Sequence, residues 1–422
     1  MQVRIFPSKA HGTVSAPPSK SVAHRALICG ALSQRSTISG LAWSEDISAT
    51  CDCLRAMGAQ IERISEDTVA IGGLTPAGIP DGAVLPCRES GSTLRFLIPI
   101  AMISGKTVHF TGSPRLMERP LGIYEEISNI QGGLFVREGQ QITVRGGLCA
   151  GDYEVVGNIS SQFITGLMLA LSLADGESRI RVTEPFESRS YTDITASVLR
   201  EFGVSVRCEG NEFVIPGAAV SEDAKDTSEE VTATVRSRFA DLAYTVEGDC
   251  SNAAFLEALA LLAEETSPLT VTGVPADTCQ GDRVYYEMLH EMADGRKEFD
   301  VSDCPDLAPC LFAMAAYYGG AHFTGTARLA IKESDRGAAM AEELASFGAE
   351  VTVGANEVTV ACEALHGPTR ILGGHNDHRI VMALALLCTV TGGAIEGAEA
   401  VAKSYPDFFR VIAGAGIMVE TE

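Results

Sequence analysis

Leu54-Arg55-Ala56-Met57-Gly58-Ala59, followed by alternating runs at 61–64 and 68–71, is a pattern that returns along the chain. It recurs at Ile130-Gln131-Gly132-Gly133 with 142–144, and at Leu199-Arg200-Glu201-Phe202-Gly203-Val204 with 213–215. A further copy is Leu344-Ala345-Ser346-Phe347-Gly348-Ala349 with 351–353 and 358–360; weaker ones are Leu289-His290-Glu291-Met292 and 411–419. Each reads as a helix stopped by a small residue, then strands in which apolar residues alternate. A second element precedes each copy: an apolar helix leading into a β-branched strand that closes on Gly or a turn. These helices are expected over 24–33, 92–104, 161–174, 251–265, 306–318 and 377–391. The strands are expected over 36–40, 107–112, 179–183, 269–273, 321–325 and 394–397. Helices apolar nearly all round are buried helices. Six helix–strand–helix–strand–strand units of roughly 60 to 75 residues therefore fill the chain, and two domains of three units are the natural division. The unit ending at 289–306 looks too short for both of its closing strands.

The buried helices share polar first turns: Lys20 and Ser21, Ser92, Ser161 and Gln162, Ser251 and Asn252, Asp306, and His378 with Arg379. A helix start attracts anions through its unpaired N–H groups and the positive end of its dipole. Parallel packing within each domain would open these starts on one face, and two such faces across a cleft would concentrate them.

Composition sets the bounds. A chain of 422 residues exceeds one ordinary core. Its 46% apolar and 21% charged residues describe a globular protein. The longest apolar runs, 163–174 and 381–390, fall short of the roughly 20 residues a bilayer span needs. Residues 1–6 lack a signal-peptide apolar region, so a cytoplasmic protein is expected. The net charge of −23 argues against nucleic acid or an anionic membrane as partner, yet leaves small anions open. Twelve cysteines contain no Cys-x-x-Cys pair, and several, such as Cys29, Cys310 and Cys388, lie in apolar runs. Reduced thiols acting as small hydrophobes fit better than disulfides or zinc. No metal or nucleotide motif is present. The acidic stretch 221–230 has no core-forming pattern and is expected to be an exposed excursion near the domain crossing.

Six stretches carry chemistry. Ala16-Pro17-Pro18-Ser19-Lys20-Ser21-Val22-Ala23-His24-Arg25 ends a strand at two prolines and opens a helix with two hydroxyls and two cations. By itself it is either an anion seat or a capped surface helix. Arg88-Glu89-Ser90-Gly91-Ser92-Thr93-Leu94-Arg95 is a small-residue turn that lets a ligand approach the backbone, or a plain cap. Pro114-Arg115-Leu116-Met117-Glu118-Arg119-Pro120-Leu121-Gly122 holds two arginines in a stiff loop, with an ion pair to Glu118 as the plain alternative. Ile331-Lys332-Glu333-Ser334-Asp335-Arg336 follows an apolar strand and could be a solvated helix start. Gly373-Gly374-His375-Asn376-Asp377-His378-Arg379 opens the last buried helix, and Lys403-Ser404-Tyr405-Pro406-Asp407 follows the last strand. Here Asp377 as a cap and Lys403 as a surface salt bridge are the plain readings. Taken together these alternatives fail, because cations at the same edge of six repeats repel unless an anionic ligand relieves them.

With Pro18-Ser19-Lys20-Ser21 and Arg25, Gly91, Glu118-Arg119-Pro120, Ser160-Ser161-Gln162, Lys332-Glu333-Ser334-Asp335-Arg336, Asn376-Asp377-His378-Arg379 and Lys403-Ser404-Tyr405-Pro406-Asp407 in family order, the chain resembles the 3-phosphoshikimate 1-carboxyvinyltransferase (EPSP synthase) family of enolpyruvyl transferases. The resemblance implies an α/β fold of two domains, each of three βαβαββ units, closing on substrate; the expected limits are 1–18 with 246–422, and 19–245. It implies enolpyruvyl transfer from phosphoenolpyruvate to shikimate 3-phosphate, with no cofactor or metal and a monomeric protein. Shikimate 3-phosphate would be held by Lys20, Ser21, Arg25, Ser160, Ser161, Gln162, Ser188, Tyr191, Asp306 and Lys332. Phosphoenolpyruvate would be held by Lys20, Gly91, Arg119, Gln162, Arg336, Arg379 and Lys403. Catalysis would fall to Lys20, Asp306 and Glu333, with Asp306 as base at the substrate hydroxyl, Glu333 as acid at the methylene, and Lys20 lowered in pKa by its arginine neighbours. Glu89 and Arg328 depart from the family pattern, in which many members have Asn at the first position and some at the second. The sister transferase acting on UDP-N-acetylglucosamine uses a Cys in the arginine loop, and 115–122 contains none. A non-catalytic phospho-ligand sensor on the same repeats would not need Asp306, Glu333 and Lys20 together.

Overall fold

The computed structural model describes residues 1–217 and 239–422, so the acidic stretch 221–230 lies outside the described residues. All six apolar stretches form helices: Lys20–Leu32, Gly91–Ser104, Ser161–Leu171, Cys250–Leu261, Ala308–Tyr317 and His378–Thr391. Four end earlier than expected, two of them by one residue and two by most of a turn or more. The Ser161 helix stops at Leu171 because the Ser172 hydroxyl turns back to donate to the Leu169 carbonyl, and the Cys250 helix stops at Leu261 ahead of a tight turn bridged between Glu264 and Ser267. Four starts are capped by the preceding side chain: Ser90 accepts from Thr93 N–H, Ser160 from Gln162, Asp249 from Asn252 and Asp377 from Arg379. Such a cap is worth about 1 kcal/mol.

The expected strands form at Ser36–Ser39, Thr107–Thr111, Ser178–Thr183, Leu269–Thr272, Gly320–Thr324 and Gly393–Glu396. Among the described residues there are five four-stranded sheets and one of two strands. The sheet Ala83–Pro86, Thr107–Thr111, Gln141–Arg145, Leu134–Glu138 shows the plan: the first pair is parallel, the other two antiparallel. The repeat extends to side chains. His109 stands opposite Thr143, and His322 opposite Thr359, each imidazole Nδ1 2.9 Å from the facing Thr Oγ1. Among the described residues the short unit lacks its closing pair, and Leu269–Thr272 pairs there with Gly12–Ser15 alone. The last sheet borrows from the chain start, because Gln2–Ile5 lies between Gly393–Glu396 and Val419–Thr421.

The described chain divides into two compact units, Met1–Lys20 with Glu247–Glu422, and Ser21–Val246. Ser19 and Lys20, expected in the second domain, fall in the first unit, and Val246 in the second. Hydrogen bonds decide this: Ser19 N–H donates to the Glu247 carbonyl and Lys20 N–H to Asp249 Oδ2, whereas Val246 N–H donates to Ser39. Each unit buries its own core. Phe312, Phe323, Leu384 and Leu387 are sealed in the first, and Phe96, Phe163, Leu97 and Leu167 in the second. Each such side chain contributes roughly 1.5–3 kcal/mol by leaving water. All cysteines are free and most are buried, as their apolar settings imply. No helix among the described residues is long and apolar enough to cross a membrane.

Gly166 shows how tightly the second unit is set. A Cβ there would lie 2.4 Å from both the Arg95 carbonyl and the Tyr124 hydroxyl, which bond to each other at 2.7 Å. Alanine gains about 1 kcal/mol in helix propensity, but overpacking costs about 1–3 kcal/mol and the broken bond about 1 more. Gly166→Ala is therefore expected to lower the thermal midpoint; an unchanged or raised midpoint would mean that the two helices separate freely.

Candidate active site

In the first unit, Asp306 lies just before the Ala308 helix, and Arg336 begins the helix Arg336–Ala345. Arg336 Nη1 donates to Asp306 Oδ1 at 2.8 Å, while its Nε and Nη2 reach the two oxygens of Asp377 at 2.9 and 3.4 Å. Lys332 Nζ donates to the same Asp306 oxygen at 3.2 Å, and Arg379 Nη2 stands 3.9 Å from the other. Asp377 is thus both the cap expected of it and the buried partner of Arg336. Arg379 Nη1 donates to Asn252 Oδ1 at 3.0 Å, and Asn252 to Ser404 Oγ at 3.1 Å. Lys403 is buried, not a surface residue, and its Nζ donates to the Asn376 carbonyl at 2.6 Å.

These contacts order the protonation states. Burial works against ionisation of Asp306, but Lys332, Arg336 and Arg379 hold its carboxyl well below the usual range. Glu333 is likewise held ionised against burial by His378, Lys20 and Arg336. His378 Nδ1 lies 3.0 Å from Glu333 Oε2; since an ionised carboxylate only accepts, Nδ1 carries the proton. Burial lowers the His378 pKa below its ordinary value despite Glu333, with Lys20 adding to the effect. Lys332 is lowered by burial, against the pull of Asp306, with help from Arg336 and Arg328. Arg328 is anchored on the Ser302 carbonyl at 2.6 Å.

Behind Lys20, Asp249 joins two helix starts by accepting from Lys20 N–H at 3.1 Å and Asn252 N–H at 2.8 Å. Gln280 accepts from the Ser19 hydroxyl at 3.0 Å. The Asp282 carboxyl, which accepts from Ser251, is pushed up to about 7 by burial and by the charge of Asp306.

In the second unit, Arg25 is buried and donates to Thr195 Oγ1 at 2.7 Å, the Ser21 carbonyl at 2.6 Å, Thr165 Oγ1 at 3.2 Å and the Tyr191 carbonyl at 2.9 Å. Its guanidinium also lies over the Phe96 ring. Ser188 opens the helix Arg189–Glu201 in the left-handed region, with φ of 55°. Ser160 caps the helix that Ser161 begins and on which Gln162 projects. Gln162 accepts from Arg95 Nη1 at 2.7 Å and donates to Ser92 Oγ at 3.0 Å. Arg119 belongs to the same group, since a Cβ added to Gly91 would lie 2.6 Å from its Nη1 and 3.5 Å from that of Arg95.

Ser21, Arg25, Ser160, Ser161, Gln162, Ser188, Tyr191, Gly91 and Arg119 thus stand in the second unit, and Lys20, Asp306, Lys332, Glu333, Arg336, Arg379 and Lys403 in the first. Arg95 and Asn252 were missed as site residues. Both stood in quoted stretches, Arg95 four residues after Gly91 and so on the same helix face, Asn252 in a polar first turn. Burial and the charge of Arg119 lower the Arg95 pKa to about 10. The non-glycine residues with positive φ, Arg88, Ser188, His375 and Asn376, all lie in or beside these turns. Such backbone strain persists where the surroundings over-determine it.

The fold defines the class. An EPSP synthase from Acinetobacter baumannii superposes with a TM-score of 0.78 over the whole of both chains at 25% identity. The enolpyruvyl transferase NikO from Streptomyces tendae gives 0.74 over 99% of this chain and 98% of its own at 16% identity, a likeness of fold alone. This is the two-domain α/β fold of enolpyruvyl transferases. The family model for EPSP synthase (3-phosphoshikimate 1-carboxyvinyltransferase) matches residues 6–412. The 3-phosphoshikimate 1-carboxyvinyltransferase of Clostridium kluyveri is 40% identical over 98% of this chain and 97% of its own length, and that of Clostridium novyi 35% over 99% and 98%. The chain belongs to the EPSP synthase family, a family of transferases.

The crowding at Gly91 gives a prediction. Because the atom a Cβ would displace is the end of a flexible guanidinium, Gly91→Ala should leave the thermal midpoint nearly unchanged while moving Arg119. Binding of phosphoenolpyruvate should weaken by about tenfold, the worth of one charged hydrogen bond. Unchanged affinity by calorimetry would count against the role in holding phosphoenolpyruvate that the sequence leads one to expect of Arg119.

Proposed function

We propose that this chain transfers the enolpyruvyl group of phosphoenolpyruvate to the 5-hydroxyl of shikimate 3-phosphate, releasing phosphate, as a step of aromatic amino acid biosynthesis. The observation that carries the reading is Asp306, held ionised among Lys332, Arg336 and Arg379 in a chain of this family. In this reading Ser21, Arg25, Ser160, Ser161, Gln162, Ser188 and Tyr191 hold shikimate 3-phosphate, with Lys20, Asp306 and Lys332. Lys20, Gly91, Arg119, Gln162, Arg336, Arg379 and Lys403 hold phosphoenolpyruvate. The protein works as a cytoplasmic monomer without metal or cofactor; light scattering checks its mass.

The chemistry follows from the protonation order. Asp306 accepts the proton of the 5-hydroxyl as that oxygen bonds to the enol carbon, and the methylene carbon takes a proton to become methyl. A depressed pKa makes Asp306 a weak base but keeps it ready to accept, so its effect comes from position. Glu333, expected as the acid at the methylene, is ionised beside His378. The negative charges of phosphoenolpyruvate, placed near Lys20 and Arg336, offset the cations that hold it so and raise its affinity for a proton. Lys20, whose charge acts on Glu333, is the neighbouring group that can pass one to it, while His378, neutral with its proton on Nδ1, orients the carboxylate by donating a hydrogen bond. Glu333, ionised again once it has given up its proton, takes one back from the methyl group; the C–O bond to phosphate breaks and the enol ether forms, with Lys20 and the arginines stabilising charge on the leaving group.

Asp306→Asn is expected to lower kcat by about 10²–10⁴ while KM for phosphoenolpyruvate changes little. Full turnover in the variant would remove Asp306 as the base. Phosphate release assayed with shikimate 3-phosphate, and then with UDP-N-acetylglucosamine, tests the substrate. The second substrate is not favoured, since 115–122 holds no Cys. Release with neither would leave a phospho-ligand sensor.

A further inference from the structure

Resting on the reaction proposed above, we infer that His375 and Glu343 form a clamp that positions the 373–379 loop for anion binding, although neither side chain is assigned a contact with substrate. His375 Nε2 lies 2.8 Å from Glu343 Oε1, and Glu343 is 1% exposed on the helix Arg336–Ala345. The same carboxylate bonds the Gly373 backbone. His375 and Asn376 both hold the left-handed region, with φ of 50° and 51°. Neither is glycine, so both conformations are strained and persist only where the surroundings hold them.

What the strained turn aims is the anion-binding edge. The Asn376 carbonyl takes Lys403 Nζ at 2.6 Å; Asp377 then caps the last helix at Arg379 N–H and grips Arg336. Gly374 N–H is tied to the Glu396 carbonyl at 2.9 Å, and Asp377 N–H returns to the Gly374 carbonyl at 2.9 Å. The backbone is therefore pinned at both ends of His375, and the side-chain bond to Glu343 decides whether the turn between keeps its shape. Were it released, the Asn376 carbonyl could rotate away from Lys403 without breaking the last helix.

The charged groups facing His375 are Glu343 and Glu342 on that helix and Arg370 on the preceding chain. The Glu343 bond raises the His375 pKa above its ordinary value, against partial burial and Arg370. Burial opposes ionisation of Glu343, but His375, Arg370 and Gly373 hold its pKa down. The sign follows. The raised histidine contributes fully below its unfolded value of about 6.5 and is lost as pH rises through the folded one; the depressed carboxyl contributes above about 4.5 and is lost as pH falls.

The test measures KM for phosphoenolpyruvate and kcat across pH in the full chain, His375→Gln and Glu343→Gln. The native KM is expected to rise as pH climbs above about 6.5. In both variants KM should already be raised by about tenfold at lower pH and be flat through that window, with kcat within about twofold. Variants that keep the native pH profile of KM, or that lose kcat and not affinity, overturn the clamp. NMR titration of the His375 ring separates this from the function itself. A ring that titrates above the ordinary histidine value in the native chain and falls back in Glu343→Gln supports the clamp whatever the substrate. A native ring that titrates at or below the ordinary value overturns it. Absence of native turnover counts against the proposed reaction alone.

Discussion

The first unit depends on one guanidinium. Arg336 is 2% exposed and bridges Asp306 to Asp377. Two carboxylates brought this close inside a protein repel strongly, and a lone buried charge costs several kcal/mol. Arg336 resolves both difficulties, because its planar fork serves Asp377 with two nitrogens and leaves a third for Asp306. A lysine could not meet that geometry. The consequence extends beyond stability: Asp377 so anchored starts the last buried helix, and Asp306 so anchored stands before the previous one.

Helix capping and site construction are here one event. Ser90, Ser160, Asp249 and Asp377 each begin a buried helix by accepting a backbone N–H. Three of them also lie within two residues of a group in the candidate site, Gly91, Gln162 and Arg379, and the fourth, Asp249, accepts from Lys20 N–H as well. A buried apolar helix needs a polar start because its first N–H groups cannot stay unsatisfied. That start is the place on such a helix where polar chemistry costs least. Repeating the unit repeats the polar start, which gives the chain several anion-attracting ends from one local rule.

The sequence carried this plan unevenly. The six buried helices and the strand after each were legible because their apolar runs are long and end at Gly or a polar turn. The first strands of the units, such as Glu298–Asp300 and Ala83–Pro86, were not: they are three or four residues long, with side chains that are partly exposed. A strand that short has no period to detect. In the site, the motif residues were found but their couplings were not. Arg25 meets Thr165 and Thr195 across 140 and 170 residues of chain, contacts that no local pattern encodes. Arg95 stood in a quoted stretch, but its bond to Gln162 spans 67 residues of chain and no local pattern announces it. The ionised state of Glu333 was invisible for the same reason, since it depends on His378 lying 45 residues away.

A net charge of −23 looks at odds with the anionic substrates proposed above only if charge is averaged over the molecule. At physiological ionic strength exposed charges are screened beyond about 8 Å, so surface carboxylates such as Glu62 and Glu212 act only on their neighbours, among them Arg35 and Arg181. Arg336, Arg379 and Lys403 are buried and screened far less. Their partners are the Asp306 and Asp377 carboxylates for Arg336, the Asn252 amide oxygen for Arg379 and the Asn376 carbonyl for Lys403, all fixed by the fold. An arriving phosphate or carboxylate therefore meets fixed cations whose desolvation was settled when the protein folded. Discrimination then comes from which oxygens the fixed donors reach, and the acidic exterior leaves that local field intact while disfavouring polyanions too large to enter it.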